Sequence, residues 1–269
     1  HSKVWIYWVL DIKEMTALIT GASAGIGAEL AREFAKDKID LILVARREER
    51  LKNLASELSS TYGVSVHIIA LDLSITGSAN ELYKKVKSLR LRVGYLVNNA
   101  GFGDNGEFVD SDLTRQEDMI NLNILTLTKL THLFGAEMKK NKKGTILNIA
   151  STAAFVPGPL MSVYFATKHF VLAFSEGIAE ELKPYGVYVT TLCPGPTESE
   201  FGEAANFKML TDAPSRKFPS SAEVAKFGYQ KMKSRQVVFV HGWWNSIEAF
   251  FTRFAPRWVV RKMVYTKLK

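Results

Sequence analysis

A single cysteine, Cys193, stands in a chain of 269 residues. That scarcity rules out an internal disulfide framework and a zinc site built from thiolates, and it suits a reducing compartment, so the expected location is cytoplasmic. Histidine is scarce too. The five, at positions 1, 67, 132, 169 and 241, show no metal-ligand spacing, so no metal is expected, and His169 is expected to face away from any site near Lys168. Long apolar runs are missing. The first fourteen residues, HSKVWIYWVLDIKE, hold an apolar run of seven, too short to span a bilayer and without a small-residue cleavage site. Residues 1–14 are expected to be an added or read-through leader ahead of Met15 rather than an amphipathic arm. The chain also lacks the nucleophile elbow of a Ser-His-Asp hydrolase. Its formal charge of +8 is modest for this much surface, and with no recognised binding module nucleic acid is not an expected partner.

Apolar residues make up 47% of the composition, enough for one large α/β domain with a well-buried sheet. Short apolar runs predict strands over 15–20, 39–45, 64–71, 94–98, 144–150, 187–193 and 235–240, with helical spacing between them. The expected fold is a Rossmann-type three-layer α/β/α sandwich around a parallel sheet of about seven strands. Such a sheet binds ligand at the carboxyl ends of its strands, where Thr20, Arg46, Asp72, Asn98, Ser151 and Pro194 fall. The domain is expected over 15–242, with a basic aromatic extension over 243–269.

The first strand runs into TGASAGIG at 20–27, and helical spacing follows. Gly21 would allow a tight turn, Gly25 the close approach of backbone to a pyrophosphate, and Gly27 close packing of helix on sheet. The helix N-terminus would present free N–H groups to phosphate. A second strand then ends at Ala45-Arg46-Arg47, where a site for NAD usually carries an acid for the ribose hydroxyls. A guanidinium pairs bidentately with phosphate, so Arg46 and Arg47 favour NADP(H) over NAD(H); the alternative is a solvated basic start to the next helix.

Tyr164 and Lys168 lie four residues apart in YFATK, and Ser151 stands thirteen residues before the tyrosine. On a helix the phenol and the ammonium share one face, and a neighbouring cation is expected to lower the tyrosine pKa toward a working range. Such a tyrosine can exchange a proton with a carbonyl or alcohol oxygen. Each residue also has a structural reading, Ser151 as a cap on the loop after GTILNIA and Tyr164 as a half-buried aromatic. The ordered set Asn123, Ser151, Tyr164 and Lys168 argues for chemistry, because every member must fit one site.

From Met15 to about Val240 the chain resembles the short-chain dehydrogenase/reductase family. The resemblance is carried by TGASAGIG, Asp72 in ALDL, NNAG at 98–101, Asn123 in INLNIL, Ser151 in NIAS, Tyr164 with Lys168, and CPGPTES at 193–199. ARREERL and CPGPT resemble an NADP-preferring bacterial subset. The resemblance implies that Tyr164 is the general acid in reduction and the base in oxidation, that Lys168 holds the nicotinamide ribose and depresses the Tyr164 pKa, and that Ser151 binds the substrate oxygen. Asn123, on the helix after the fourth strand, would hold a water linking Lys168 to solvent, and Asp72 would contact adenine. Asn99, Ala100 and Gly101 would pass beside the ribose, and Thr197 and Ser199 would reach the nicotinamide amide or the pyrophosphate. Thr20, Ser23, Ile26, Leu73, Pro194 and Gly195 complete the implied cofactor contacts. Assembly as a homodimer or homotetramer, through the helices carrying Asn123 and Tyr164, is implied as well.

The implied activity is hydride transfer between NADP(H) and a small-molecule carbonyl or secondary alcohol. An NAD-dependent alcohol dehydrogenase and a non-catalytic NADP-binding regulator or scaffold are the alternatives. Residues 197–218 form a candidate lid with Phe201, Phe207, Met209 and Leu210 beneath it. With Phe155, Val156, Pro157, Pro159 and Met161 these favour an apolar ketone or acyl chain. The tail interleaves Arg253, Arg257, Arg261 and Lys262 with Trp243, Trp244, Phe250, Phe251, Phe254 and Trp258, and Pro256 is expected to break it into two helices. It could close the pocket, pack on another subunit or lie on an anionic lipid surface, with burial against protein preferred over membrane contact.

Overall fold

The computed structural model describes residues 15–205 and 218–269. Residues 1–14, and Phe207, Met209 and Leu210 of the candidate lid, lie outside the described residues. Seven parallel strands form one sheet in the order β3-β2-β1-β4-β5-β6-β7. They are β1 Thr16–Thr20, β2 Leu41–Ala45, β3 Val66–Ala70, β4 Val93–Asn98, β5 Gly144–Ile149, β6 Val187–Cys193 and β7 Val238–Val240. The central strands are apolar on both faces because helices cover both, and every residue of β1 and β2 is buried. At the edges, β3 and β7 are buried only in part.

One face is covered by α1 Gly25–Lys36, α2 Glu48–Tyr62 and α8 Ser221–Lys233, through Leu30, Phe34, Leu51 and Tyr229. Phe34 and Tyr229 meet edge to face at 4.8 Å, a geometry that aligns ring edge with ring face. The other face is covered by α3 Ser78–Ser88, α5 Leu127–Lys140 and α6 Ser162–Leu182, through Leu82, Leu130, Phe134 and Ala179. The α8 helix opens with a capping box in which Ser220 and Glu223 satisfy each other's backbone N–H. From β1 the chain builds outward to β3 on one side and to β7 on the other, so the crevice between β1 and β4 is a topological switch point.

Asn123 departs from the expected regular helix. Between α4 Leu113–Ile120 and α5 the chain makes a π-helical turn, Asn121–Thr126, which carries it. A short helix, α7 Phe201–Ala204, follows the CPGPTES turn. Pro256 divides the tail as expected, ending the segment after α9 Trp243–Phe251 and capping α10 Arg257–Leu268. Among the described residues no helix is long and apolar enough to cross a membrane.

Candidate active site

The glycine turn is fastened from β4. Thr20 Oγ1 donates to Val97 O and accepts from the N–H groups of Asn99 and Ala100, while Asn99 Nδ2 donates to Thr20 O at 3.0 Å and Gly21 O at 3.2 Å. Gly21 and Gly25 take positive φ values of +68° and +56°, which a side chain would strain. A Cβ on Gly27 would lie 2.3 Å from Gly21 O, so the close helix-to-turn packing read from the sequence is present. Ala24 caps α1 with no side-chain hydrogen bond, and Gly25 and Ile26 line the cleft beside it. This arrangement, a bare backbone turn with first-turn N–H groups at a cleft wall, fits the pyrophosphate of a dinucleotide.

The cleft holds about 500 Å³. Of the residues singled out in the sequence, Gly21, Ser23, Gly25, Ile26, Arg46, Arg47, Asp72, Leu73, Asn99, Ala100 and Gly101 line it, as do Ser151, Tyr164, Lys168, Pro194, Gly195, Thr197 and Ser199. Thr20, Gly27 and Asn123 do not line the cleft; they sit behind its wall and hold it in place. His169 also lies off the cleft, its Nδ1 bonded to Phe165 O at 2.8 Å.

Ser151 serves both readings at once. It caps the 3₁₀ turn Thr152–Phe155, its Oγ accepting from Ala153 N at 3.1 Å, and it faces the cleft. Tyr164 and Lys168 share one face of α6, both buried. The expected lowering of the Tyr164 pKa by Lys168 is corrected by the structure. Burial pushes the phenol up to about 12, with only the neighbouring Ser151 hydroxyl pulling the other way. Burial also brings Lys168 down to about 8, its Nζ donates to Ile149 O at 2.8 Å, and it lies 5.7 Å from the Tyr164 ring centroid. Two groups sunk into one apolar wall are each pushed toward neutrality, and that outweighs their proximity.

Asn123 is tied to the neighbouring loop. Its Nδ2 donates to Phe102 O at 3.0 Å and to Thr167 Oγ1 at 3.1 Å, and its Oδ1 accepts from Phe102 N at 3.2 Å. A Cβ on Gly101 would meet Asn123 Oδ1 at 2.9 Å and Lys168 Nζ at 3.6 Å, so both polar groups border the space beside that glycine. Asp72 is turned to its own loop and accepts from Ser74 N and Oγ, with Arg46 at 3.7 Å from its other oxygen.

Several site residues escape the sequence reading. Glu200 accepts from Arg47 at 2.6 Å and also binds Arg50, and Arg47 in turn donates to Ser23 Oγ from Nε and Nη2. Phe201, read from the sequence as part of the lid's apolar underside, does line the cleft and stands 5.3 Å from the Tyr164 ring. Asn245 packs over Gly195, where a Cβ would meet its Nδ2 at 2.5 Å, and this seats α9 on the CPG turn. Thr252, Val264 and Leu268 also line the cleft, so the tail closes it, as one of its expected roles required. Of the expected apolar wall, Phe155, Val156 and Met161 line the cleft and Pro157 and Pro159 do not. Among the described residues no group of acidic, histidine or cysteine side chains is placed to hold a metal.

A seven-stranded parallel sheet with a glycine turn at its switch point and a serine, tyrosine and lysine in the same cleft defines a dinucleotide-dependent oxidoreductase. The short chain dehydrogenase family profile matches residues 15–209, and the chain belongs to that family. It is 31% identical over 255 residues to the very-long-chain 3-oxoacyl-CoA reductase of Rattus norvegicus, covering 92% of this chain and 78% of the relative. A short-chain dehydrogenase from Sphingobium yanoikuyae, solved with NADPH, superposes with a TM-score of 0.80 at 33% identity, covering 89% of this chain and 94% of that one. A bulky-bulky ketone specific alcohol dehydrogenase from Comamonas testosteroni gives a TM-score of 0.76 at 31% identity, with 89% and 93% covered.

Proposed function

We propose that the protein is an NADP(H)-dependent reductase of apolar ketones or acyl carbonyls, with Tyr164 giving the proton. The observation that carries the proposal is that Ser151, Tyr164 and Lys168 share one cleft with the glycine turn and the uncapped end of α1. The nicotinamide, when bound, supplies the hydride that goes to the carbonyl carbon. As charge grows on the substrate oxygen, Ser151 Oγ donates a hydrogen bond to it. Tyr164 Oη then transfers its proton to the same oxygen. A phenol held at about 12 stays protonated at neutral pH, and an alkoxide is the stronger base, so the transfer runs downhill in the reductive direction.

Lys168 has three donors, spends one on Ile149 O, and offers the others to the ribose hydroxyls. Asn123 positions the Phe102 backbone and borders the route by which a proton returns past Gly101. Arg46 and Arg47 offer guanidinium groups to a 2′-phosphate at the rim, which supports NADP(H). Phe155, Val156, Met161, Phe201, Val264 and Leu268 line the remainder and favour an apolar substrate, in keeping with the ketone and 3-oxoacyl specificities of the relatives. Assembly as a homodimer or homotetramer through the helices carrying Asn123 and Tyr164 belongs to the same proposal, supported by the exposed Leu113, Ile120, Leu125 and Phe170. The buried lone Cys193 suits a cytoplasmic setting.

Fluorescence titration with NADPH and NADH, followed by a panel of apolar carbonyls, tests the reading. Tyr164→Phe is expected to reduce turnover by about 10²–10⁴-fold while leaving NADPH affinity within a few-fold. NADPH binding by the parent protein with no turnover of any carbonyl would replace the enzyme by a cofactor-binding regulator, and preference for NADH would remove the role of the arginines.

A further inference from the structure

The two C-terminal helices carry different chemistry on their two sides. Inward, a narrow stripe at helical spacing, Asn245 and Ala249 on α9, Thr252 at its C-cap, and Val264 and Leu268 on α10, lines the cleft. Outward, the same helices and the turn between them hold large rings in water. Trp244 is 67% exposed, Phe250 54%, Phe254 72% and Trp258 58%. These are not scattered residues. The Trp243 and Trp244 rings lie 3.9 Å apart, and Phe250 lies 5.5 Å from Phe251 and 5.3 Å from Phe254. Clustered exposed rings of this kind mark an interaction surface, whereas a single exposed ring does not.

Charge selects the partner. Arg253, Arg257, Arg261, Lys262 and Lys269 are exposed among the rings, and the only carboxylate of the two helices, Glu248, lies 3.4 Å from Lys267. A second copy docked through this face by two-fold symmetry would set these cations against themselves. A protein interface of this size would have to desolvate them, and interface cores are depleted in charge. An anionic bilayer surface meets both demands, because phosphate headgroups receive the cations while the acyl boundary just below receives the rings, the level that tryptophan prefers.

We infer that α9 and α10 form a docking face for an anionic lipid bilayer, with the rings of Trp244, Phe250, Phe254 and Trp258 seated at the boundary between headgroups and acyl chains. The face is continuous with the cleft. Val264 and Met263 of α10 line the cleft while Trp258 of the same helix is 58% exposed, so one helix is both pocket wall and membrane contact.

Sedimentation of the full chain with vesicles of phosphatidylcholine, with and without phosphatidylglycerol, tests this without cofactor or substrate, so its failure leaves the reductase proposal standing. Binding to the anionic vesicles should be tighter by about tenfold or more and should weaken with added salt. Two surface variants, Phe250→Ser/Phe254→Ser/Trp258→Ser and Arg253→Glu/Arg257→Glu/Arg261→Glu, should each lose about tenfold or more in vesicle affinity while keeping the parent's circular dichroism and melting temperature. Absence of vesicle binding at low salt, or undiminished binding by both variants, would overturn the inference. So would light scattering that shows the apolar variant dissociating an oligomer of a parent that ignores vesicles, since a second copy would then cover the face.

Discussion

Lys168 is a cation with no carboxylate partner among the described residues, in a wall that burial has stripped of water, and that placement gives the protein a pH signature. Its proton leaves the folded chain at about pH 8, whereas the ordinary value is 10.5. Between those values the unfolded chain binds more protons, so this group makes stability rise with pH across that window. Tyr164 acts in the opposite sense and higher up: its folded value of about 12 exceeds the ordinary 10.0, so stability falls as pH climbs between them. Replacing Lys168 by Met should therefore raise the melting temperature at neutral pH by roughly a few degrees, with the gain gone once the parent lysine is neutral in both states. Calorimetry across the alkaline range checks it, and a gain that does not depend on pH would refute the burial argument. At the rim, Glu200 competes for Arg47 and Arg50 with any phosphate that approaches. Glu200→Gln should tighten NADPH binding by about threefold or more and leave NADH unchanged, while stability moves by no more than roughly 1 kcal/mol because the pair is exposed. Equal effects on the two cofactors, read by fluorescence titration, would show that the carboxylate does not compete with a 2′-phosphate.

At the scale of elements, the turn between β1 and α1 concentrates the sharpest steric demand. An alanine at Gly27 would place its Cβ 2.3 Å from Gly21 O and 2.4 Å from Asn99 Nδ2, and Asn99 is itself fastened to the backbone carbonyls of Thr20 and Gly21 at the start of the turn. Neither neighbour can retreat, so Gly27→Ala is expected to cost about 1–3 kcal/mol and to weaken cofactor binding with it. Urea unfolding beside NADPH titration measures both, and a variant as stable as the parent would mean the helix can slide. This turn was legible in the sequence because strand, glycines and helix are consecutive residues whose local preferences agree. The strands were legible for the same reason, with β3 and β7 shorter than their apolar runs because edge strands have a neighbour on one side only. What was not legible depends on residues far apart in the chain. Asn123 gave no sign that it would bind Phe102 from within a π-helical turn, and nothing beside Glu200 in sequence pointed to Arg47 and Arg50. The same holds for the tyrosine: four-residue spacing announces the proximity of Lys168, but the burial that reverses the expected pKa shift comes from Phe165, Phe201 and Met161 closing around it.

Taken whole, the molecule assembles its cleft from the switch point of the sheet and from a tail that returns to it after the last strand. Asn245 over Gly195 seats the first tail helix, and Leu268, next to the last residue described, packs with Met119, Met161 and Tyr164. The tail helix therefore sets the shape of the space in front of the Tyr164 phenol. The proposed cofactor contacts involve Ser23, Arg46 and Arg47, residues of the same cleft remote in sequence from the tail, so the two functions are separable by mutation. Leu268→Trp puts a larger ring where a leucine now lines the wall and should lower kcat/KM for large apolar ketones by about tenfold or more, the effect of a steric block worth more than 1.4 kcal/mol. Small ketones should be turned over within a few-fold of the parent rate, and NADPH affinity should not change. Loss of large and small substrates alike would mean that the tail supports the Tyr164 geometry instead of sizing the pocket, and unchanged kinetics with both would mean that the substrate reaches the phenol by a side of the cleft that the tail does not cover.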